Sequence, residues 1–404
     1  MSVSSSKKEQ SPDKLPWFSL LAFSMASFIC IMTETVPAGL LPQISEGLNV
    51  SNSYAGQLVT VYAIGSFVAA IPVTLATQSW RRKPLFLFAI GLFFVLNSVT
   101  ALSSSYVVTL LARFIAGVGA GIVWSMLAGY ARRLVPENLK GRATAIVFAG
   151  TPIALSIGVP LGSFLGSFIG WRGVFIIMSL LTLILITWIV VMIPDFSRSS
   201  KNTRVSLFSV LKIHGVLPIL SVVLLWMISH NILYTYIAAF LGATGLEISV
   251  STALLVFGIL SIVGIWITGL FVDTHMRLLV LLSLSGFLLT ALLLQFFDNN
   301  LILIFTGIIL WGLTFGGAAT LIQTALAQAV GEANVDVAMS ISATSWNMAI
   351  AGGGFIGGIL FDYIGTKSFS ITIILFMIIA FFITFFNKKY AFPPNKYQSK
   401  SNHS

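Results

Sequence analysis

Apolar residues run along this chain in blocks of about 20, each closed by a short polar interruption. At 1.5 Å per residue a helix of that length crosses the hydrocarbon core of a bilayer. The blocks fall near residues 17–40, 53–77, 84–103, 106–130, 142–169, 172–193, 215–241, 249–271, 278–297, 301–325, 338–361 and 368–387. They predict an all-α polytopic membrane protein with twelve transmembrane helices. Connections such as Ser103–Ser105 and Gly170–Trp171 are very short, so boundaries hold to a few residues, and ten or eleven crossings with one re-entrant block is the alternative.

The charges set an orientation. Lys and Arg gather in the tail before Trp17, in Arg81-Arg82-Lys83, around Arg132, Arg133 and Arg142, in the stretch 194–214 and at Lys388 and Lys389. Cytoplasmic loops carry such an excess, so both termini are expected in the cytoplasm. The intervening loops carry Glu46, Glu247, Asp298 and Asp362, with Arg172 and Lys367 as their positive residues. The tail Met1–Pro16 is polar, and the block after it exceeds the apolar core of a signal peptide, so no cleavable leader is expected.

Composition agrees. Only 8% of residues are charged and 57% are hydrophobic, with a mean hydropathy of +0.98, whereas a soluble domain is about a quarter charged. The net charge of +10 would raise a nucleic-acid partner in a soluble protein, but it is confined to loops and no basic helix occurs. The single cysteine, Cys30, lies in an apolar block, which excludes an intrachain disulfide. His214, His230, His275 and His403 form no metal-binding spacing, and neither a nucleophile elbow nor a P-loop occurs. No enzymatic activity, metal or cofactor is expected. An ion gradient is the remaining energy source.

The chain divides at the linker containing Pro194, Asp195, Arg198, Lys201 and Arg204. Gly158 and Gly162 return 196 residues later as Gly354 and Gly358, and the same offset joins Val73 to Gly269. The expected organisation is a tail at 1–16, a six-helix bundle at 17–193, a cytoplasmic linker at 194–214, a second six-helix bundle at 215–387 and a tail at 388–404. Two related bundles that rock about a site between them suit an alternating-access transporter.

Three motifs carry a family resemblance. In VTLATQSWRRKP, Leu75, Ala76 and Arg81 match the loop between the second and third spans of major facilitator proteins and Arg82 keeps its final positive charge, whereas Val73, Thr77, Gln78 and Trp80 replace the usual Gly, Asp, Arg and Gly. GLFVDTHMR in the second half keeps Gly269, Asp273 and Arg277. Arg113 in LLARFIAGVGAG matches the embedded arginine of the fourth span, ahead of Gly117 and Gly121. Gly158, Pro160, Gly162 and Gly166, followed by Gly170, Trp171, Arg172, Val174 and Phe175, match the antiporter signature of the fifth. The whole chain apart from its tails resembles the major facilitator superfamily, within it the twelve-span proton-coupled drug antiporters and the arabinose-type and purine-nucleoside efflux permeases.

The resemblance implies a major-facilitator-type fold, a gate interaction at Asp273 and Arg277 that Arg81 and Arg82 match only weakly, proton coupling through Arg113, and export. From the residues alone, an arginine in hydrocarbon must face a cavity, a carbonyl or a carboxylate. If its span begins near Tyr106, Arg113 lies about two turns in, where snorkelling is open to it.

Glu34 is the single acid inside a block, roughly 25 Å along the first helix if that begins at Trp17. It is expected to face the interior as the principal proton carrier; Pro37 and Gly39 leave an interfacial position open, and a counter-charge for a cationic drug is the competing role. Polar residues that interrupt apolar blocks are candidates for a solute cavity: Trp124 and Ser125, His230, Asn231 and Tyr234, Gln323, Trp346 and Asn347. Amides beside aromatics suit a purine, a nucleoside or an amphipathic drug. The expected function is proton-coupled efflux of a small organic solute such as a nucleoside, sugar or drug by a monomer in the bacterial inner membrane. A facilitative or cation-coupled uptake carrier is the alternative.

Overall fold

The computed structural model describes residues 15–70, 80–136, 139–195, 207–331 and 334–394. Residues 1–14 and 395–404 of the tails, the motif residues Val73, Leu75, Ala76, Thr77 and Gln78, and the linker residues Arg198, Lys201 and Arg204 lie outside these ranges. Every regular element among the described residues is helical, as a bilayer requires of a chain with no closed barrel.

Eight described stretches are long and apolar enough to cross a membrane, fewer than the twelve blocks. Two of them are too long for one crossing. Arg142–Met192 holds 51 residues and Val250–Phe296 holds 47, about 77 and 70 Å of helix against a core of roughly 30 Å. Each breaks where its backbone leaves the helical region. Gly170 sits at φ 71°, ψ 162°, a conformation open essentially to glycine alone, and His275 sits at φ −134°, ψ 28°. Two further helices, Asn52–Ala70 and Val335–Tyr363, fall outside the eight.

The glycine-proline motif builds the contact between the Trp17–Gly39 helix and the Val159–Met192 helix. Pro160 has no N–H to offer the Ser156 carbonyl four residues back, and the helix relieves the mismatch with a π-turn over Ala154–Gly158, whose Val159 N–H reaches the Ala154 carbonyl. Beyond it, Gly158, Gly162 and Gly166 face Met32, Val36 and Leu40, so two four-residue rows interlock. A Cβ at Gly162 would stand 2.8 Å from Val36 Cγ2, which is why small residues are needed.

Between the segment up to Asp195 and the segment from Leu207, contacts gather at the end carrying Ser53. Across that boundary Tyr236 Oη reaches the Ser53 carbonyl and Gln57 Nε2 reaches the Gly354 carbonyl, each at 3.5 Å, while within the second segment Tyr236 Oη donates to the Gly354 carbonyl at 2.9 Å. Gly56 and Gly357 press on the Tyr236 ring and Gly354 on Thr60. Toward the other end an open recess of about 580 Å³ is lined by Gln323, Thr324, Ala327, Gln328, Gly331 and Val335.

Candidate functional site

Two groups of buried polar residues lie in the interior, and helix packing explains both. At the first, the helices Asn52–Ala70 and Tyr106–Arg133 come close enough for Gly117 to abut the Tyr62 carbonyl and Gly65 the Phe114 carbonyl. That approach brings Arg113 against the neighbouring backbone. Its side chain is 1% exposed, so it is enclosed by protein and does not snorkel.

Arg113 Nε donates to the Leu58 carbonyl and Nη2 to the Glu34 carbonyl, both at 3.3 Å. The guanidinium lies over the Tyr62 ring, 4.7 Å from its centroid, a cation–π contact that is stronger away from water. Tyr62 Oη in turn donates to the Cys30 carbonyl at 3.0 Å. Nη1 is buried and has no hydrogen-bond partner among the described residues. A permanently charged group is thus held by two carbonyls and a ring with donor capacity to spare. Glu34, 5% exposed, lies within the helix upstream of Pro37. It meets Arg113 through its main chain; no Arg113–Glu34 carboxylate ion pair is formed. Next to it, Thr33 Oγ1 accepts from Asn97 Nδ2 at 3.1 Å.

The second group surrounds His230 near the end of the Val216–Thr235 helix. Its imidazole stacks on Phe315, with centroids 3.5 Å apart and planes 5° from parallel. Trp311 Nε1 donates to its Nδ1 at 3.1 Å, and Tyr234 and Phe257 complete an aromatic box. His230 is 6% exposed. Asn231 Nδ2 bonds back to the Met227 carbonyl at 2.7 Å, whereas Tyr234 Oη and Thr235 Oγ1 are buried without a partner among the described residues. The Tyr234 hydroxyl lies beside Thr35, the residue after Glu34 in the first helix, so the two groups are neighbours.

The other cavity candidates are dispersed. Trp124 stacks on Phe148, centroids 5.9 Å apart, and Ser125 Oγ donates to the Ile122 carbonyl. Gln323 is exposed in the recess. Trp346 packs on Val59, Ala63 and Ile350, and Asn347 Nδ2 bonds to the Ala343 carbonyl.

Among the gate candidates, Arg81 pairs with Asp195 at 2.6 Å, while the Lys83 amide donates to the same carboxylate at 3.2 Å. Arg82 begins the next helix. Arg277 donates to the Thr384, Phe385 and Phe392 carbonyls at 2.9 to 3.1 Å, capping the end of Lys367–Phe386 as a cation does at a helix C-terminus. Asp273 is exposed and makes no ion pair among the described residues.

Sequence reasoning missed Tyr62, Asp195, Tyr236, Phe257, Trp311 and Phe315. The four-residue spacing of Trp311 and Phe315, which puts both on one helical face, was the available signal.

The family model described as Major Facilitator Superfamily matches residues 23–283 and 267–404, and the chain belongs to that superfamily. It is therefore a multi-pass secondary transporter and no enzyme. A "Probable sugar efflux transporter" of Helicobacter pylori (strain ATCC 700392 / 26695) is 28% identical over 361 residues, covering 88% of this chain and 92% of the relative. A "Purine ribonucleoside efflux pump NepI" of Escherichia coli O1:K1 / APEC is 29% identical over 363 residues, covering 87% and 89%. Together with the apolar helices, these relatives put the chain in the bacterial inner membrane.

Proposed function

We propose that this chain exports a small neutral organic solute, a nucleoside or sugar, in exchange for protons, as a monomer working by alternating access. The observation that carries the reading is the Arg113 arrangement: a buried, always charged guanidinium with one unbonded nitrogen, fastened to the main chain of the residue that bears the lone embedded acid. A small shift of the first helix would bring the Glu34 carboxylate to that nitrogen. Glu34 would take a proton from outside and release it inside as Arg113 stabilises the anion; the solute would occupy the neighbouring group around His230 and Tyr234. The two relatives, whose names specify efflux of sugar and of purine ribonucleosides, favour export over uptake and this branch over other drug antiporters.

The reading takes the chain to cross the membrane twelve times, as bundles 17–193 and 215–387, with both termini cytoplasmic. Breaking the two overlong stretches at Gly170 and His275 and adding Asn52–Ala70 and Val335–Tyr363 supports that count. On this orientation the Tyr236 contacts close the outer end and the recess opens inward. On this reading Asp273 has no ion pair among the described residues because the inner gate is open, and it would find its partner when that gate closes. Arg81 keeps its ion pair with Asp195.

The test is uptake of radiolabelled inosine and arabinose into inverted membrane vesicles. Accumulation that vanishes when a protonophore collapses the gradient is expected. Accumulation of either compound that ignores the protonophore would contradict coupling.

A further inference from the structure

The His230 box contains a constraint on protonation. An indole N–H only donates, and Trp311 Nε1 points at His230 Nδ1 at 3.1 Å. Nδ1 must therefore be bare, and the ring proton sits on Nε2. The parallel stack on Phe315 at 3.5 Å and the contacts with Tyr234 and Phe257 fix the ring plane. Nε2 makes no hydrogen bond among the described residues, and it is not one of the enclosed unpaired atoms, so it keeps accessible surface on a side chain that is only 6% exposed as a whole. Tyr234 Oη, one turn further along the same helix, is enclosed with Thr35 as its nearest polar neighbour. A donor held rigidly and left accessible in an otherwise closed aromatic box marks a place for an acceptor that arrives from elsewhere.

We propose that Trp311 is a positioning residue that holds His230 as its Nε2–H tautomer, so that His230 presents a fixed donor to an uncharged acceptor on the solute, a hydroxyl or ring oxygen or a heteroaromatic nitrogen. This rests on reading the group as the solute site; the tautomer does not. His230 is thereby removed from proton transfer, because a doubly protonated ring has no acceptor for the Trp311 indole. The proton pathway is left to Glu34. A neutral donor among aromatic faces also favours polyhydroxy and heteroaromatic solutes over cations, for which a carboxylate would be the fitting partner.

The experiment is nitrogen NMR of the full chain in lipid nanodiscs with labelled histidine. The chain has four histidines, and the His230 signals are assigned by their loss in His230→Gln. A bare Nδ1 and a protonated Nε2 are expected near neutral pH, with a mixture of tautomers in Trp311→Phe. A wild-type Nδ1–H or doubly protonated ring would overturn the proposal, as would an unchanged tautomer in Trp311→Phe.

Titrations with inosine and with arabinose form the second arm. The one that binds should move the Nε2–H signal, which distinguishes a heteroaromatic from a sugar acceptor. A silent signal with both would overturn the solute-facing role. Losing one hydrogen bond corresponds to a weakening of about 2- to 12-fold, expected for Trp311→Phe and His230→Asn. His230→Gln, whose amide nitrogen can stand at the Nε2 position, should bind within about 3-fold of wild type. Equal losses in Asn and Gln would mean that the residue only fills space. These readouts do not depend on export, so a failed vesicle experiment and a failed tautomer assignment remain distinguishable.

Discussion

Tyr236→Phe should weaken the closure at the Ser53 end without emptying it. The ring, which packs on Gly56 and Gly357, is retained, and the lost group is the hydroxyl, which reaches across to the Ser53 carbonyl at 3.5 Å and donates to the Gly354 carbonyl within its own half at 2.9 Å. Gln57 Nε2, 3.5 Å from the Gly354 carbonyl, keeps a second crossing contact in place. A buried hydrogen bond is worth about 0.5 to 1.5 kcal/mol net and the crossing bond is long at 3.5 Å, so the low end applies and the ratio of closed to open molecules should fall by about 2-fold. Cys30 is the only cysteine in the chain, so a Cys30→Ala background accepts spin labels cleanly. Glu46→Cys and Glu247→Cys place them at exposed positions on the two sides of the closure. Pulsed distance measurements should show the longer-distance population growing in the Phe variant. An unchanged distribution would refute the assignment of Tyr236 as a latch.

Arg113→Lys should fold yet lose transport almost as completely as Arg113→Ala, because an ammonium cannot span the Leu58 and Glu34 carbonyls while stacking on Tyr62; substrate flux in reconstituted vesicles checks it. Arg277→Ala should lower thermal stability by about 1 to 3 kcal/mol through loss of charged hydrogen bonds to three carbonyls, read as a shift in the melting temperature. Asp273→Asn should leave binding intact and slow turnover, and equal turnover in a stopped-flow flux measurement would exclude a gating role. A reporter fused after His403 should be active inside the cell; external activity would contradict the orientation.

Much of this was legible because a bilayer tolerates so few solutions. Apolar block length marked the helices, and Gly158, Gly162 and Gly166 announced a close helix pair before Met32, Val36 and Leu40 were known as its partners. Arg113 and Glu34 stood out since charge is rare in such blocks. What stayed hidden was identity of partners. Arg113 meets the carbonyl of Leu58 and of Glu34, and every residue type has a carbonyl. Phe257, Trp311 and Phe315 look like lipid-facing or core aromatics until the fold brings them to His230. Asp195 sits 114 residues from its partner Arg81, a separation that only tertiary structure closes.

The central claim is that Glu34 couples solute export to protons, and proteoliposomes bearing Glu34→Gln test it most directly. An amide keeps the size of the side chain and its place in the helix but cannot carry a proton at physiological pH. With the radiolabelled solute identified in the inverted vesicles, an imposed proton gradient should drive uphill movement by the wild type alone, while solute-for-solute exchange continues in both proteins. Uphill transport by Glu34→Gln at the wild-type proton stoichiometry would contradict the account.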